Sequence, residues 1–259
     1  MGTVLITGAS GGIGYELAKL FAKDRHHLVL VARSAEKLTQ FAGELQRQFG
    51  VKVKPVAFDL AEPAAAKSLF DQIEHDGITV DILVNNAAYG VLGEFAEIAL
   101  EENLGQLQLN VVTLTALTRL FVGPMKERRS GKIMNVASTA GFQAGPRMAV
   151  YYATKAYVIS FSEALASELE GSGVAVSCLC PGPTDTGFQK RAAMENTTLA
   201  RKPGTMDAKT VALDGYRGLM TGKTLVISGM LNWLVAESVR FAPRKVVTGI
   251  SKRLLERRV

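Results

Sequence analysis

The sequence predicts an α/β fold, a doubly wound parallel sheet of seven strands with helices on both faces. Two observations carry this. Seven short apolar runs, at 3–7, 28–32, 51–57, 81–84, 132–136, 174–180 and 224–227, lack strict polar alternation, as strands covered on both faces do. Between them lie segments of helical period, at 13–23, 35–49, 64–75, 100–128, 150–170 and 208–219. Strand and helix in alternation build a parallel sheet through right-handed crossovers. A chain of 259 residues buries enough surface to need no disulfide or metal staple. Residues 1–229 are expected to form one catalytic domain, with 230–259 as a helical extension packed on it. The polar and basic stretch 187–206 reads as a loop over the site.

Composition narrows the setting. The only cysteines, Cys178 and Cys180, lie two apart in an apolar run. On a strand they share a face and do not easily bridge each other. Buried reduced thiols and a cytoplasmic location are therefore expected. The apolar opening, 1–7, is too short for a signal peptide. The longest apolar stretch, 225–235, is broken by Ser228, Gly229 and Asn232 and is too short to span a bilayer. The three histidines lack ligand spacing, so no metal is expected. A net charge of +6 reads as an ordinary soluble surface, and no nucleic-acid partner is expected.

The first strand runs into Thr7-Gly-Ala-Ser-Gly-Gly-Ile-Gly14, which opens the first helix. Glycines there permit a tight turn, and the helix start offers N–H groups to a pyrophosphate. That context marks a dinucleotide-binding, Rossmann-type fold. Gly8, Ser10, Gly12, Ile13 and Gly14 are expected against the cofactor. The second strand ends in Ala32-Arg33, where an acidic residue would hold a ribose 2′-hydroxyl. An arginine suits a 2′-phosphate instead, so NADP is expected over NAD. Asp59 and Leu60 follow the third strand, where the carboxylate is placed to hold the adenine amino group or to cap the next helix. Asn85-Asn-Ala-Ala88 follows the fourth, and Asn85 and Ala87 are expected beside the cofactor.

Tyr151 and Lys155 stand four apart on a predicted helix and share a face. A phenol titrates near 10. An ammonium at about 4 Å, with an effective dielectric of about 20, favours the phenolate by up to about 4 kcal/mol. That would bring the phenol toward the range useful for proton transfer. Taken with Thr7-Gly8-x-x-x-Gly12-x-Gly14, Asn85-Asn86-Ala87, Asn110, Ser138 and Pro181-Gly182-x-x-x-Thr186, in that order, the sequence resembles the short-chain dehydrogenase/reductase family from about residue 3 to 229.

The resemblance implies an NADP-dependent enzyme that moves hydride between the nicotinamide and a carbonyl or alcohol carbon. Tyr151 would transfer the proton and Ser138 would place the substrate oxygen. Lys155 would lower the phenol pKa and bind the nicotinamide ribose, and Asn110 would hold a water. Thr186, with Pro181 and Gly182 before it, would meet the carboxamide end. Tyr152 is a rival to Tyr151, disfavoured by its spacing from Ser138. Ala88 replaces the family's usual glycine and is expected to tighten the cofactor floor without abolishing binding. The last strand also lacks the acidic residue many members carry.

In the extension, Val246, Ile250 and Leu254, joined by Val247 and Leu255, form a stripe opposite Lys245, Lys252, Arg253 and Arg257. Such a helix docks on its own domain or lies weakly on a membrane surface, and docking is the preferred reading. Trp233 reads as a packing anchor. A tail closing the site favours a hydrophobic small-molecule substrate, and a homodimer or homotetramer is expected. Two other functions fit the motifs. One is a 3-oxoacyl thioester reductase, with Lys190, Arg191, Arg201 and Lys202 meeting an acidic carrier. The other is a non-catalytic nucleotide sensor, disfavoured by the intact Tyr151/Lys155 pair.

Overall fold

The computed structural model describes residues 1–199 and 205–256. The amino-terminal half runs β1 (Thr3–Thr7), α1 (Gly12–Lys23), β2 (His27–Ala32), α2 (Ala35–Phe49), β3 (Val53–Ala57), α3 (Ala65–His75) and β4 (Ile82–Asn85). Then come α4 (Leu100–Leu107), a π-helical stretch (Gln108–Thr113), α5 (Leu114–Glu127), β5 (Gly131–Val136), α6 (Ala149–Glu168) and β6 (Val174–Cys180). The rest is β7 (Thr184–Asp185), α7 (Phe188–Arg191), β8 (Met206–Asp207), α8 (Ala208–Met220), β9 (Leu225–Ile227), α9 (Met230–Ser238) and α10 (Arg244–Leu255).

Seven strands form one parallel sheet in the order β3-β2-β1-β4-β5-β6-β9. Both faces are covered, which is why the strands read as unbroken apolar runs. Val4 and Ile6 point into the layer under α1, α2 and α8, while Leu5 points into the layer under α3 and α5; all three are fully buried. Pro55 sits in the edge strand β3, where a missing N–H is tolerated. Local chemistry sets the helix ends: Ser34 caps α2 by accepting from Lys37 N–H, and Gly50 closes it at φ 66°.

Several expected bounds shift. The third strand begins at Val53 rather than 51, and the fourth runs Ile82–Asn85. The helix expected over 100–128 contains the π-helical stretch around Asn110. The expected loop 187–206 contains α7, and β7 and β8 pair near its two ends. The extension differs more. On α10 it is Val247, Ser251 and Leu255 that are buried, while Val246 and Ile250 of the expected stripe are each 53% exposed. The helix turns by this much because Leu255 packs in the cluster of Leu92, Tyr151 and Tyr152, and because Leu254 O and Glu256 O accept from Leu199 N–H and Thr198 N–H. Trp233 is 46% exposed and anchors no core. Arg201, Lys202 and Arg257 lie outside the described residues. Among the described residues, no helix is long and apolar enough to cross a membrane.

Candidate active site

Parallel strands end their carboxyl edges together, and a cavity of about 910 Å³ opens above β1, β2, β4, β5 and β6. Its floor is the turn after β1. Gly8 (φ 67°) and Gly12 (φ 53°) hold left-handed backbone that only glycine adopts without strain. Thr7 Oγ1 accepts from Asn86 N–H (2.9 Å) and Ala87 N–H (3.0 Å). Asn86 Nδ2 in turn donates to Thr7 O (2.9 Å) and Gly8 O (3.2 Å). These bonds fasten the ends of β1 and β4, where the strand order reverses direction.

Most sequence-predicted residues line this cavity: Gly8, Ser10, Gly12, Ile13, Arg33, Asp59, Leu60, Ala87, Ser138, Tyr151, Lys155, Pro181, Gly182 and Thr186. Three do not. Gly14 faces the loop behind the cavity, where an added Cβ would sit 2.5 Å from Gly8 O and 2.6 Å from Asn86 Nδ2. Its role is close packing. Gly14→Ala is expected to cost about 1–3 kcal/mol through overpacking and to weaken nucleotide binding by displacing Gly8; a thermal shift measured with and without nucleotide checks both.

Asn85 is 3% exposed and donates to Thr118 Oγ1 (3.0 Å) and Asn135 Oδ1 (2.9 Å), so it ties strands and helix together beneath the site and does not face it. Asn110, 1% exposed, accepts from Tyr89 N–H (3.1 Å) and donates to Tyr89 O (2.8 Å) and Thr154 Oγ1 (3.1 Å). Both amide hydrogens are used, and the oxygen is turned to Tyr89 N–H, so the side chain clamps the segment after β4 and does not line the cavity. The π-helical stretch is what brings this amide to Tyr89, a use such stretches commonly serve.

Ser138 follows β5 in extended backbone. Its Oγ accepts from Ala140 N–H (3.1 Å) and donates to Pro181 O (3.3 Å), and the hydroxyl stands near enough to the Tyr151 phenol to influence its titration. Tyr151 stands in the first turn of α6, and Lys155 follows one turn later. The Lys155 ammonium lies 5.7 Å from the Tyr151 ring centre and donates to Val136 O (2.8 Å). Serine, phenol and ammonium therefore converge on one wall.

The electrostatics depart from the expected lowering of the phenol. Burial pushes the Tyr151 pKa well above the ordinary phenol range, and the Ser138 hydroxyl offsets it only in part. Burial also brings Lys155 down to about 8, against the raising pull of Cys178 and Cys180. Desolvation disfavours both charged forms, and it is the largest cause of both shifts. Tyr152 is held at about 12 by burial and packs its ring against Gly145, where a Cβ would lie 2.4 Å away. Ser138 acts on the phenol of Tyr151 and not on that of Tyr152, in keeping with the spacing argument.

Sequence reading did not single out Tyr89, Met148 or Phe188. The Phe188 ring centre lies 5.1 Å from that of Tyr151, and the Arg191 guanidinium lies 4.3 Å above the Tyr89 ring. Leu92 N–H donates to Ala192 O (3.2 Å), so the α7 segment is tied across the cavity to the chain after β4. The one available signal was aromatic residues flanking the Asn85–Ala88 and Thr186 motifs. Arg33 lies 4.0 Å from Asp59, whose Oδ1 also accepts from Ala61 N–H in a local turn; α3 starts later, so Asp59 caps no helix. Cys178 and Cys180 are buried and free, sulfur to sulfur 3.8 Å. Among the described residues, no cluster of His, Cys, Asp or Glu is arranged to hold a metal.

Residues 2–197 match the family described as short chain dehydrogenase. The chain is 37% identical over 226 residues to the ketoacyl reductase HetN of Nostoc sp., covering 87% of this chain and 77% of that protein. It is 30% identical over 261 residues to the very-long-chain 3-oxoacyl-CoA reductase of Mus musculus, covering 98% of this chain and 80% of the relative. Among solved structures, a short-chain dehydrogenase from Sphingobium yanoikuyae in complex with NADPH superposes with a TM-score of 0.84 at 31% identity, over 93% of this chain and 94% of that one.

Proposed function

As the chain belongs to the short-chain dehydrogenase family, we propose that it is an NADP-dependent reductase of an apolar carbonyl compound, with Tyr151 as proton donor. It is an oxidoreductase that interconverts a carbonyl and an alcohol. The observation that carries the finer reading is that Ser138, Tyr151 and Lys155 face the same cavity as the glycine turn and Arg33.

The residues fit a dinucleotide. Gly11 caps α1 without a side-chain acceptor, so the first N–H groups of that helix are open to a phosphate. A Cβ on Gly12 would come within 3.0 Å of Thr186 Cγ2, so the cradle keeps its shape only with glycine there. Arg33 would pair with a 2′-phosphate and Asp59 would accept from the adenine amino group. Lys155 would hold the nicotinamide ribose, and Thr186 the carboxamide. A bound nicotinamide supplies the hydride, while the protein supplies orientation and a proton. Ser138 holds the substrate oxygen. Tyr151 passes its phenolic proton to that oxygen as the carbonyl becomes an alcohol. Burial keeps the phenol protonated at neutral pH, the form a general acid needs, which supports reduction as the working direction. Asn110 acts by positioning Tyr89.

Beyond Tyr151 the cavity is walled by Met148, Phe188, Met194, Leu199, Leu231, Val235 and Leu254, which supports an apolar substrate. A 3-oxoacyl thioester is a second reading, favoured by the named activities of the two relatives above. Exposed Leu104 and Leu107 on α4, with Val112 and Tyr157 nearby, support a homodimer or homotetramer. The free thiols support a reducing, cytoplasmic setting.

The test is NADPH oxidation by purified protein over apolar ketones, aldehydes and acetoacetyl thioesters. Turnover is expected with at least one class. Arg33→Ala is expected to raise KM for NADPH by about 10- to 100-fold while leaving NADH within a few-fold. Tight NADPH binding with no turnover on any compound would instead mark a nucleotide sensor.

A further inference from the structure

The helices that wall the outer end of the cavity also carry a group of uncovered apolar side chains. On and just after α9, Met230 (74%), Leu231 (69%), Leu234 (52%), Val235 (52%) and Phe241 (88%) are exposed, together with the half-exposed Trp233. Leu231 and Val235 belong both to this surface and to the cavity wall, so the cavity meets solvent there. A patch of this size at a site mouth marks an interaction surface.

α10 adds charge to it. The helix carries Arg244, Lys245, Lys252 and Arg253 and no acidic residue. All four cations are exposed, and among the described residues none is in an ion pair. Helical spacing puts Val246, Ile250 and Arg253 on one flank and Lys245 and Lys252 on the next, while Val247, Ser251 and Leu255 hold the opposite side against the domain. The helix is thus docked by one stripe and presents a second, basic and apolar, to the outside.

Charge decides between the two occupants this surface would suit. A second copy joined about a two-fold axis meets the same patch on its partner and sets an unpaired cationic strip against itself. A bilayer with anionic headgroups offers neutralising charge to the cations and an apolar interior to Trp233, Leu234, Phe241, Val246 and Ile250. We propose that α9 and α10 seat the protein on an anionic membrane surface, with the cavity mouth facing the lipid so that an apolar substrate enters from the bilayer. The route of entry rests on the reductase reading above; the membrane contact does not.

Trp233 is the only tryptophan in the chain and lies within the patch, so its fluorescence reports the contact directly. Full-length protein is mixed with vesicles of phosphatidylcholine alone, or of phosphatidylcholine with phosphatidylglycerol, and followed by co-sedimentation and Trp233 emission. Binding and a blue shift are expected with the anionic vesicles, and weak or no binding with the neutral ones. The pair Lys245→Glu and Lys252→Glu is expected to lower partitioning by at least about fivefold per cation removed. Phe241→Ser is expected to weaken it while leaving the salt dependence unchanged.

NADPH binding and turnover of a water-soluble ketone, measured on the same variants, are expected to stay at wild-type values, which separates this contact from the catalytic reading. Three results would overturn the proposal: no sedimentation with anionic vesicles, equal binding to neutral ones, or a Trp233 shift that follows protein concentration without lipid. The last would assign the patch to a second copy of the chain.

Discussion

Tyr151→Phe is expected to lower kcat/KM by about 10³-fold or more while leaving NADPH affinity within a few-fold. The loss of one proton-transfer group typically costs about 10²- to 10⁴-fold, and here the phenol stands with Ser138 and Lys155 on the cavity wall, so the upper part of that range is expected. The ring itself remains to pack against Phe188, so the fold should hold. Tyr152→Phe is the control. Ser138 does not act on its hydroxyl, and its ring fills the space beside Gly145, which phenylalanine fills equally well. Activity should stay within a few-fold. The opposite ranking of the two variants, in a steady-state assay with a reactive ketone, would move the proton donor to Tyr152.

Lys155 should leave a mark on stability as well as on turnover. Its pKa falls from 10.5 to about 8 on folding because burial disfavours the ammonium. Between those values the unfolded chain binds the proton and the folded chain does not, so stability rises with pH across that window. Below about pH 8 both states are protonated and the full penalty is present; above about 10.5 neither is, and the penalty is gone. Lys155 alone contributes a gain on the order of 2 kcal/mol between about pH 7.5 and about pH 9.5. Raised folded pKa values pull the other way: Cys180, held up by its Cys178 hydrogen bond and by burial, from near pH 9 upward, and Tyr151 and Tyr152 from near pH 10, so the rise is clearest between about pH 8 and about pH 9. Urea melts of nucleotide-free protein across the lower window should show the rise, and Lys155→Met should flatten it and also abolish turnover. A wild-type midpoint that does not move with pH would mean that the ammonium is better solvated than its burial indicates.

The sheet was legible because each strand is buried on both faces and each helix on one, so apolar pattern and layer correspond directly. The glycine turn and the Tyr151–Lys155 pair were legible because their chemistry depends on local spacing, which the sequence states outright. What spacing does not carry is the direction of a side chain between layers. Asn85 and Asn110 sit in motifs beside the site, yet both amides are used by neighbours 21 to 50 residues away in the chain. The face α10 turns inward depends in the same way on where Leu92, Leu199 and Tyr152 stand, and no periodicity within α10 contains that. The expected phenol acidity failed for a related reason. A pairwise distance was inferable from four-residue spacing, but the desolvation that overrides it is a property of everything packed around the pair.

A parallel sheet gathers its chemistry at one rim and leaves the other rim idle. Met1 is 90% exposed and precedes β1, whose far end holds the glycine turn. Five residues of strand separate the two by roughly 16 Å. An affinity handle or surface tether attached at Met1 would therefore hold the enzyme by its inert side, with the mouth pointing away from the support. The same handle attached beyond α10 would lie against the entrance.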